Sequence, residues 1–281
     1  MSFSLARSDD PLPHLPVELG RAGEGVGRWV PEMKHTFLAK YVEGTRRARE
    51  KFKQRVYVDL FCGPGRIQVK SEPMTRPGGA QIAWLHSLRD NVAFTSCLVG
   101  DLDASRASAC AERLQAMGAP ATALPGAAEF TVDQVLPMIP KGALCLAYLD
   151  PYNLQYLSFS VIEKLARLKF VDFAVHFSTM DLRRNVLMEY NPERARFDAA
   201  APGWRDHIDP TAFVRGDADE AFFDYWCGLV RGLGFSISRR MPLVRDEGNR
   251  PLYHLVFFSR HELPNRIWGD VAQGPNREFD F

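Results

Sequence analysis

From residue 55 onward, short apolar runs of strand character alternate with amphipathic helical patterns, and this alternation constrains the fold more than any other feature. "RVYVDLF", "FTSCLVGD", "ATAL", "ALCLAYLD" and "FVDFAVHF" read as strands. Between them, "GGAQIAWLHSLRD", "ASRASACAERLQAMG", "TVDQVLPMI" and "SFSVIEKLARL" read as helices, the second ended by Gly118 and the fourth opened by a capping box of Ser160 and Glu163. Five strands separated by helices require right-handed crossovers, which make the strands parallel and cover both faces of their sheet. After the helix "DEAFFDYWCGLVRGLG", the segments "FSISRRMPLVR" and "PLYHLVFFSR" flank a polar turn "DEGN" and predict an antiparallel hairpin. The expected fold class is therefore α/β, a Rossmann-like doubly wound and mostly parallel sheet closed by an antiparallel C-terminal hairpin.

The flanks are less regular. Residues 1–26, rich in Pro, Gly and charge, predict a flexible N-terminal arm. Pro31 is a favourable first helical residue, and "PEMKHTFLAKYVEGTRRAREKFKQ" then predicts one helix with Met33, Phe37 and Tyr41 on a shared face and basic residues opposite. Residues 27–281 are expected to form a single domain, with an irregular helical insertion at about 178–217 that carries Pro192, Pro202 and Pro210. With 281 residues, 46% of them apolar and 25% charged, the chain can bury a sizeable core.

Composition also excludes function classes. Thirty-five Lys and Arg against 34 Asp and Glu leave a formal charge of +1, so any basic surface for nucleic acid must be local. Cys62, Cys97, Cys110, Cys145 and Cys227 contain no CxxC pair, which argues against a disulfide scaffold or a metal site. No apolar stretch approaches the ~20 residues of a membrane span, and the N-terminal residues lack the apolar core of a signal peptide. A soluble, cytoplasmic protein is expected.

In an open parallel sheet, ligands bind at the carboxyl ends of the strands. The first strand ends in Asp59-Leu60-Phe61-Cys62-Gly63-Pro64-Gly65, the second in Asp101-Leu102-Asp103, the fourth in Asp150-Pro151-Tyr152-Asn153. Gly63 and Gly65 allow positive dihedrals and close approach of backbone to a ligand. Neither a dinucleotide GxGxxG nor a P-loop is present. A carboxylate at the end of the second strand can accept from both hydroxyls of a ribose, which suits Asp101, while Asp103 is placed either beside it or as a helix cap.

"VYVDLFCGPGR" resembles the D-x-F-x-G-x-G motif by which class I S-adenosylmethionine (SAM) methyltransferases hold the methionine end of their cofactor. Taken together, "KHTFLAKY", "VYVDLFCGPGR", "LDPYNL" and "PLYHLVFFSRHELPNRIW" resemble the three-Cys-motif partner proteins, a methyltransferase-like family, over roughly residues 29–273. The resemblance implies a class I methyltransferase fold, with SAM above Asp59, Phe61, Gly63 and Gly65, Asp101 and Asp103 at the ribose, and Lys34 and His35 closing over the cofactor. Many relatives place an acid after the third strand to meet the adenine amine. This chain has Ala127 and Ala128 there, with Glu129 displaced. The tetrad Asp150-Pro151-Tyr152-Asn153 resembles the [DNS]-P-P-[YF] motif of amino-group methyltransferases, with Tyr152 in place of the second Pro and Asn153 in place of the ring.

Two functional readings follow. One is a SAM-dependent methyltransferase acting on an amine of nucleic acid or protein, with Asp150, Pro151, Tyr152 and Asn153 at the acceptor. The other is a non-catalytic subunit that keeps the fold and binds a three-Cys-motif protein. His176 in the fifth strand reads as a hydrogen-bonded core histidine, Ser178 and Asp181 as cleft residues, and Phe222, Phe223, Trp226, Leu229 and Val230 as a core stripe. Arg183, Arg184, Arg239 and Arg240 are the candidate local contact for nucleic acid.

Overall fold

The computed structural model of the chain describes residues 8–20, 22–191, 193–209, 211 and 217–273. Residues 1–7 and 21 of the expected arm, and 192, 210 and 212–216 of the expected insertion, lie outside the described residues. The strands are β1 (Arg55–Asp59), β2 (Arg66–Ile67), β3 (Arg76–Pro77), β4 (Ser96–Asp101), β5 (Ala121–Pro125), β6 (Leu144–Leu149), β7 (Phe170–Phe177), β8 (Ser236–Ile237), β9 (Leu243–Arg245) and β10 (Pro251–Ser259). The helices are α1 (Thr36–Gly44), α2 (Arg46–Arg49), α3 (Gly79–Ser87), α4 (Ala104–Ala116), α5 (Ala128–Met138), α6 (Phe159–Leu165), α7 (Thr179–Glu189), α8 (Trp204–His207), α9 (Ala218–Gly232) and α10 (Glu262–Val271).

Among the described residues, eight strands form one sheet in the order β5-β4-β1-β6-β7-β10-β8, with β9 paired to β10 as well. Pairings from β5 to β7 are all parallel, and β10 runs antiparallel to β7. Strand order reverses at β1, between β4 and β6, which opens the ligand crevice of a doubly wound sheet at their carboxyl ends. This is the Rossmann-like, class I methyltransferase type of sheet that the alternating pattern predicts.

Side chains of these strands divide by period two. Val56, Val58, Cys145, Ala147, Leu149, Phe173 and Val175 enter one apolar core with α5, α6 and α9. Tyr57, Leu146, Tyr148 and Ala174 enter the other, with α1 and α3. The same parity sends Asp59, Asp150 and His176 to the α1 side. Register finishes the placement: Leu149 lies beside Val175, so Asp150 and His176 follow side by side on neighbouring strands. The expected stripe on α9 is core, with Phe222, Trp226 and Val230 fully buried.

Several local expectations are corrected. The long first helix is three pieces: a π-helical segment Val30–His35, then α1 and α2, broken at Thr45 with φ −87° and ψ 3°. The capping box does not form, because α6 starts two residues earlier, with Ser158 at its N-cap and the Ser158 and Ser160 hydroxyls 2.9 Å apart. The hairpin's first strand splits into β8 and β9, which pair with opposite ends of β10. Pro242 has no N–H to continue the ladder and serves only as an acceptor, for Leu255.

The N-terminal arm, expected to be partly mobile, is tied down over its described residues. Glu18 and Val26 bridge to Ile67 and Val69 in strand fashion. The main lock is Arg113 of α4, fully buried, whose Nε and Nη2 donate to the Asp10 carboxylate at 3.0 and 2.9 Å. Its remaining hydrogens go to the carbonyls of Leu12, Leu15, Pro16 and Pro64, so one guanidinium joins the arm to the glycine loop after β1. Arg113→Met should destabilise the protein by about 3 kcal/mol in urea unfolding, because it strands Asp10 and four carbonyls, and should expose residues 8–27 to proteases. Burial works to raise the Asp10 carboxyl, but the hydrogen bonds and charge of Arg113 hold it below its ordinary value. That stability is complete above the ordinary carboxylate range and is lost as pH falls through the depressed value, a slope the variant should lack.

Candidate functional site

The loop after β1 is built around a buried charge. Asp59 is 1% exposed, and its oxygens accept from the Tyr57 hydroxyl and the Phe61 amide, both at 3.1 Å. These two donors do not offset the lost hydration. Burial, and next the neighbouring Asp150 charge, push the Asp59 carboxyl up to about 7, against the pull of Phe61, Tyr57 and Lys34. Gly63 and Gly65 turn the chain with φ of +57° and +82°. A Cβ on Gly65 would stand 3.1 Å from the Cα of Cys110 in α4, whereas one on Gly63 would meet only the end of the Arg106 side chain, at 3.3 Å. Cys62, just before them, is buried packing.

The end of β4 is fastened to this loop. Asp101 accepts the Gly63 amide on Oδ2 at 3.1 Å and the Asp103 amide on Oδ1 at 3.0 Å, which leaves each oxygen a lone pair for a further donor. Asp103 caps α4 instead, accepting the Ser105 amide and hydroxyl at 2.8 and 2.7 Å. Arg106 lies 3.6 Å from Asp101 and pairs with Glu18 of the arm. Beside them Leu102 and Phe130 are 66% and 69% exposed, two large apolar side chains at the adjoining ends of β4 and β5, which the Gly126 amide ties to the Asp101 carbonyl at 2.9 Å. Ala127 is the N-cap of α5, and Glu129 lies in its first turn.

The end of β6 forms the other half of the site. Lys34 Nζ pairs with Asp150 Oδ2, and His176 Nδ1 lies 3.0 Å from Oδ1. Burial alone would raise the Asp150 carboxyl, but His176 and Lys34 together hold it down at about 2. His35 is 2% exposed, and burial, aided by the Lys34 charge, lowers it to about 3. Burial lowers His176 as well and raises the phenols of Tyr148 and Tyr253, so all four rings are neutral at pH 7. Asp150 acts electrostatically on each of them. Among the described residues, His35 Nδ1, Tyr148 Oη, His176 Nε2 and Tyr253 Oη have no hydrogen-bond partner.

The structure thus brings together Asp59, Phe61, Gly63, Gly65 and Asp101 on one side and Lys34, His35 and Asp150 on the other. Pro151 is buried, Tyr152 is 70% exposed beyond it, and Asn153 opens a 3-10 turn with its Oδ1 buried and without a partner among the described residues. Ser178 and Asp181 act locally: Ser178 caps α7, and Asp181 accepts the Leu154 amide at 3.0 Å. Arg183 is neutralised by Asp219 at 2.5 Å. His176 is buried, as its core reading expects, but its place beside Asp150 was missed. Its signal was positional, since an equal count along two neighbouring parallel strands sets it level with Asp150.

Among the described residues, no helix is long and apolar enough to cross a membrane, and no three His, Cys, Asp or Glu group as a metal would need. No family model matches the chain, and no curated protein matches it. Solved structures similar to it include cofactor-bound Rv0187 from MTB, with TM-score 0.45 and 12% identity over 82% of this chain and 81% of that one. The protein LPL1258 from Legionella pneumophila aligns with TM-score 0.46 and 10% identity over 84% and 90%. YcgJ from Bacillus subtilis aligns with TM-score 0.32 and 12% identity over 76% and 95%.

Two outcomes follow from the buried carboxylate and the glycines. With its folded value raised, Asp59 binds a proton more tightly in the folded than in the unfolded chain. The protein therefore loses stability as pH rises from about 4 to about 7. Asp59→Asn should flatten this slope and raise stability at pH 8 by about 2 kcal/mol, at roughly 1.4 kcal/mol per pKa unit with an allowance for the lost donor contact, as read by urea unfolding at pH 5 and pH 8. Gly65→Ala should cost about 2 kcal/mol because both dihedral and wall oppose it, and Gly63→Ala about 1 kcal/mol because Arg106 can yield.

Proposed function

We propose that this chain is an S-adenosylmethionine-dependent methyltransferase acting on an amine of nucleic acid or protein. The observation that carries the reading is Asp59, a buried carboxylate with no directly bonded cation among the described residues, set before two glycines whose positive dihedrals turn the chain sharply after it. Such a group is stabilised by a cationic ligand, and the methionine end of SAM carries an ammonium and a sulfonium. The other donors fit the same molecule. Asp101 has lone pairs left for a ribose diol, and exposed Leu102 and Phe130 offer apolar faces to an adenine ring. Phe61 supplies the amide that orients Asp59, and Asp103 supports the site as a helix cap.

When bound, SAM supplies an activated methyl on a good leaving group, so the chain's own work is positioning. Asp150, held as a carboxylate, accepts a hydrogen bond from the acceptor N–H and aims its lone pair. Tyr152 offers an exposed ring against which a flat acceptor can stack. At about 2 the Asp150 carboxyl is too weak a base to strip an ammonium, so an acceptor that arrives neutral is favoured.

A second reading is favoured by one observation: the Asp150 carboxylate is already engaged by Lys34 and His176 within the chain. On that reading the protein keeps the fold as an interaction subunit, with a three-Cys-motif protein as the partner that its sequence resemblance implies. Calorimetry separates the two. Binding of SAM and S-adenosylhomocysteine is expected, weakened 10- to 100-fold by Asp101→Ala through loss of about 1.5–3 kcal/mol of charge-assisted hydrogen bonding. No heat at millimolar SAM would overturn the enzyme reading, and tight binding without methyl transfer to nucleic acid or protein pools would favour the subunit.

A further inference from the structure

Asp150 has two sides that differ in kind. On one, His176 stands on the central strand β7, with its side chain 4% exposed and its ring wedged between Tyr148 at 5.2 Å and Tyr253 at 4.8 Å. Nothing can replace it without unpacking the sheet. On the other, Lys34 reaches in from the helical segment before α1 on a flexible four-carbon stem. The Asp150 side chain keeps 21% of its surface exposed, Lys34 keeps 12% and His176 4%, so of its two partners Lys34 is the one nearer solvent. An ammonium already shows what chemistry this side accepts, a nitrogen donor on Oδ2.

We propose that Lys34 is an exchangeable occupant of the acceptor's place on Asp150, while His176 is a fixed positioning residue that holds the carboxylate in register during the exchange. Resting on the methyltransferase reading of this site, the proposal names its gate: an acceptor N–H binds Asp150 by displacing the protein's own amine. Displacement removes the Lys34 ion pair and leaves the His176 Nδ1 contact at 3.0 Å, so Asp150 keeps a polar neighbour throughout. Among the described residues, the other groups that Asp150 acts upon are His35, Tyr148 and Tyr253, all neutral, together with Asp59, and the Arg76 charge also acts on His35.

The test uses n-propylammonium chloride, which carries the atoms removed in Lys34→Ala, with potassium chloride and n-propanol as controls. In Lys34→Ala, propylammonium should raise the melting temperature beyond the salt control, and n-propanol should not. The effect should vanish in Lys34→Ala with Asp150→Asn. By carboxyl NMR, the Asp150 titration should move up in Lys34→Ala and return on adding propylammonium. It should move up in His176→Asn without responding to imidazole, because that side is closed. In the wild-type chain, propylammonium should abolish the protected ammonium signal of Lys34, which keeps the proposal testable if Lys34→Ala fails to fold. A Lys34 signal that persists at saturating amine, or a variant indifferent to it, would overturn the exchange. None of these readings involves SAM, so failure of cofactor binding sinks the methyltransferase reading separately.

Discussion

Two carboxylates on neighbouring parallel strands, Asp59 and Asp150, share one nearby ammonium, and the carboxyl edge of the sheet is organised around that shortage of positive charge. Lys34 bonds Asp150 directly and reaches Asp59 only through space. The consequence is divergence: one carboxyl is pushed up to about 7, the other held down at about 2. Pairs of acids whose surroundings separate them in this way usually divide their roles. Asp150 is ionised under all ordinary conditions and suits orientation of a donor. Asp59 takes up or releases a proton near neutrality, so a cation arriving beside it binds with release of a proton and is favoured at higher pH.

That electrostatic edge is held by a second construction below it. Arg113 and Arg106 project from α4 a little under two turns apart, and each joins the N-terminal arm to the loop after β1 or the end of β4. Arg113 spends its hydrogens on Asp10, three arm carbonyls and Pro64. Arg106 pairs Glu18 and lies over Gly63 beside Asp101. A segment that composition alone assigns to flexible chain is thereby part of the frame. Composition cannot report this, because the partners lie some 50 to 100 residues away and the contacts are to backbone carbonyls, which any residue supplies.

The sheet was legible because its signals are local. Apolar runs and helical periodicity placed the five parallel strands and the helices between them, with β7 matching "FVDFAVHF" end to end. The acids at strand ends were legible for the same reason, since a charge closing an apolar run is unusual. What failed were details decided by competition. Ser160 and Glu163 satisfied a capping pattern, yet Ser158 took the N-cap. The hairpin's first strand read as continuous, yet Pro242 interrupts its ladder. His176 shows a different limit. A histidine in an apolar strand has an ordinary core interpretation, and only the register between β6 and β7 distinguishes it from a neighbour of Asp150.

The same parity explains why strain is concentrated here. Alternate residues of β1, β6 and β7 turn their polar tips to the α1 side, which is where Tyr148 Oη, His176 Nε2 and, from β10, Tyr253 Oη have no hydrogen-bond partner among the described residues. Each unpaired buried polar atom costs about 1–3 kcal/mol, so a group of them around one carboxylate is an expensive way to build a core. An apolar triad at those positions would pack against α1 and α3 with no such cost. Retaining polar rings beside Asp150 makes sense where a heteroatom-bearing ligand, or water it displaces, supplies the missing partners.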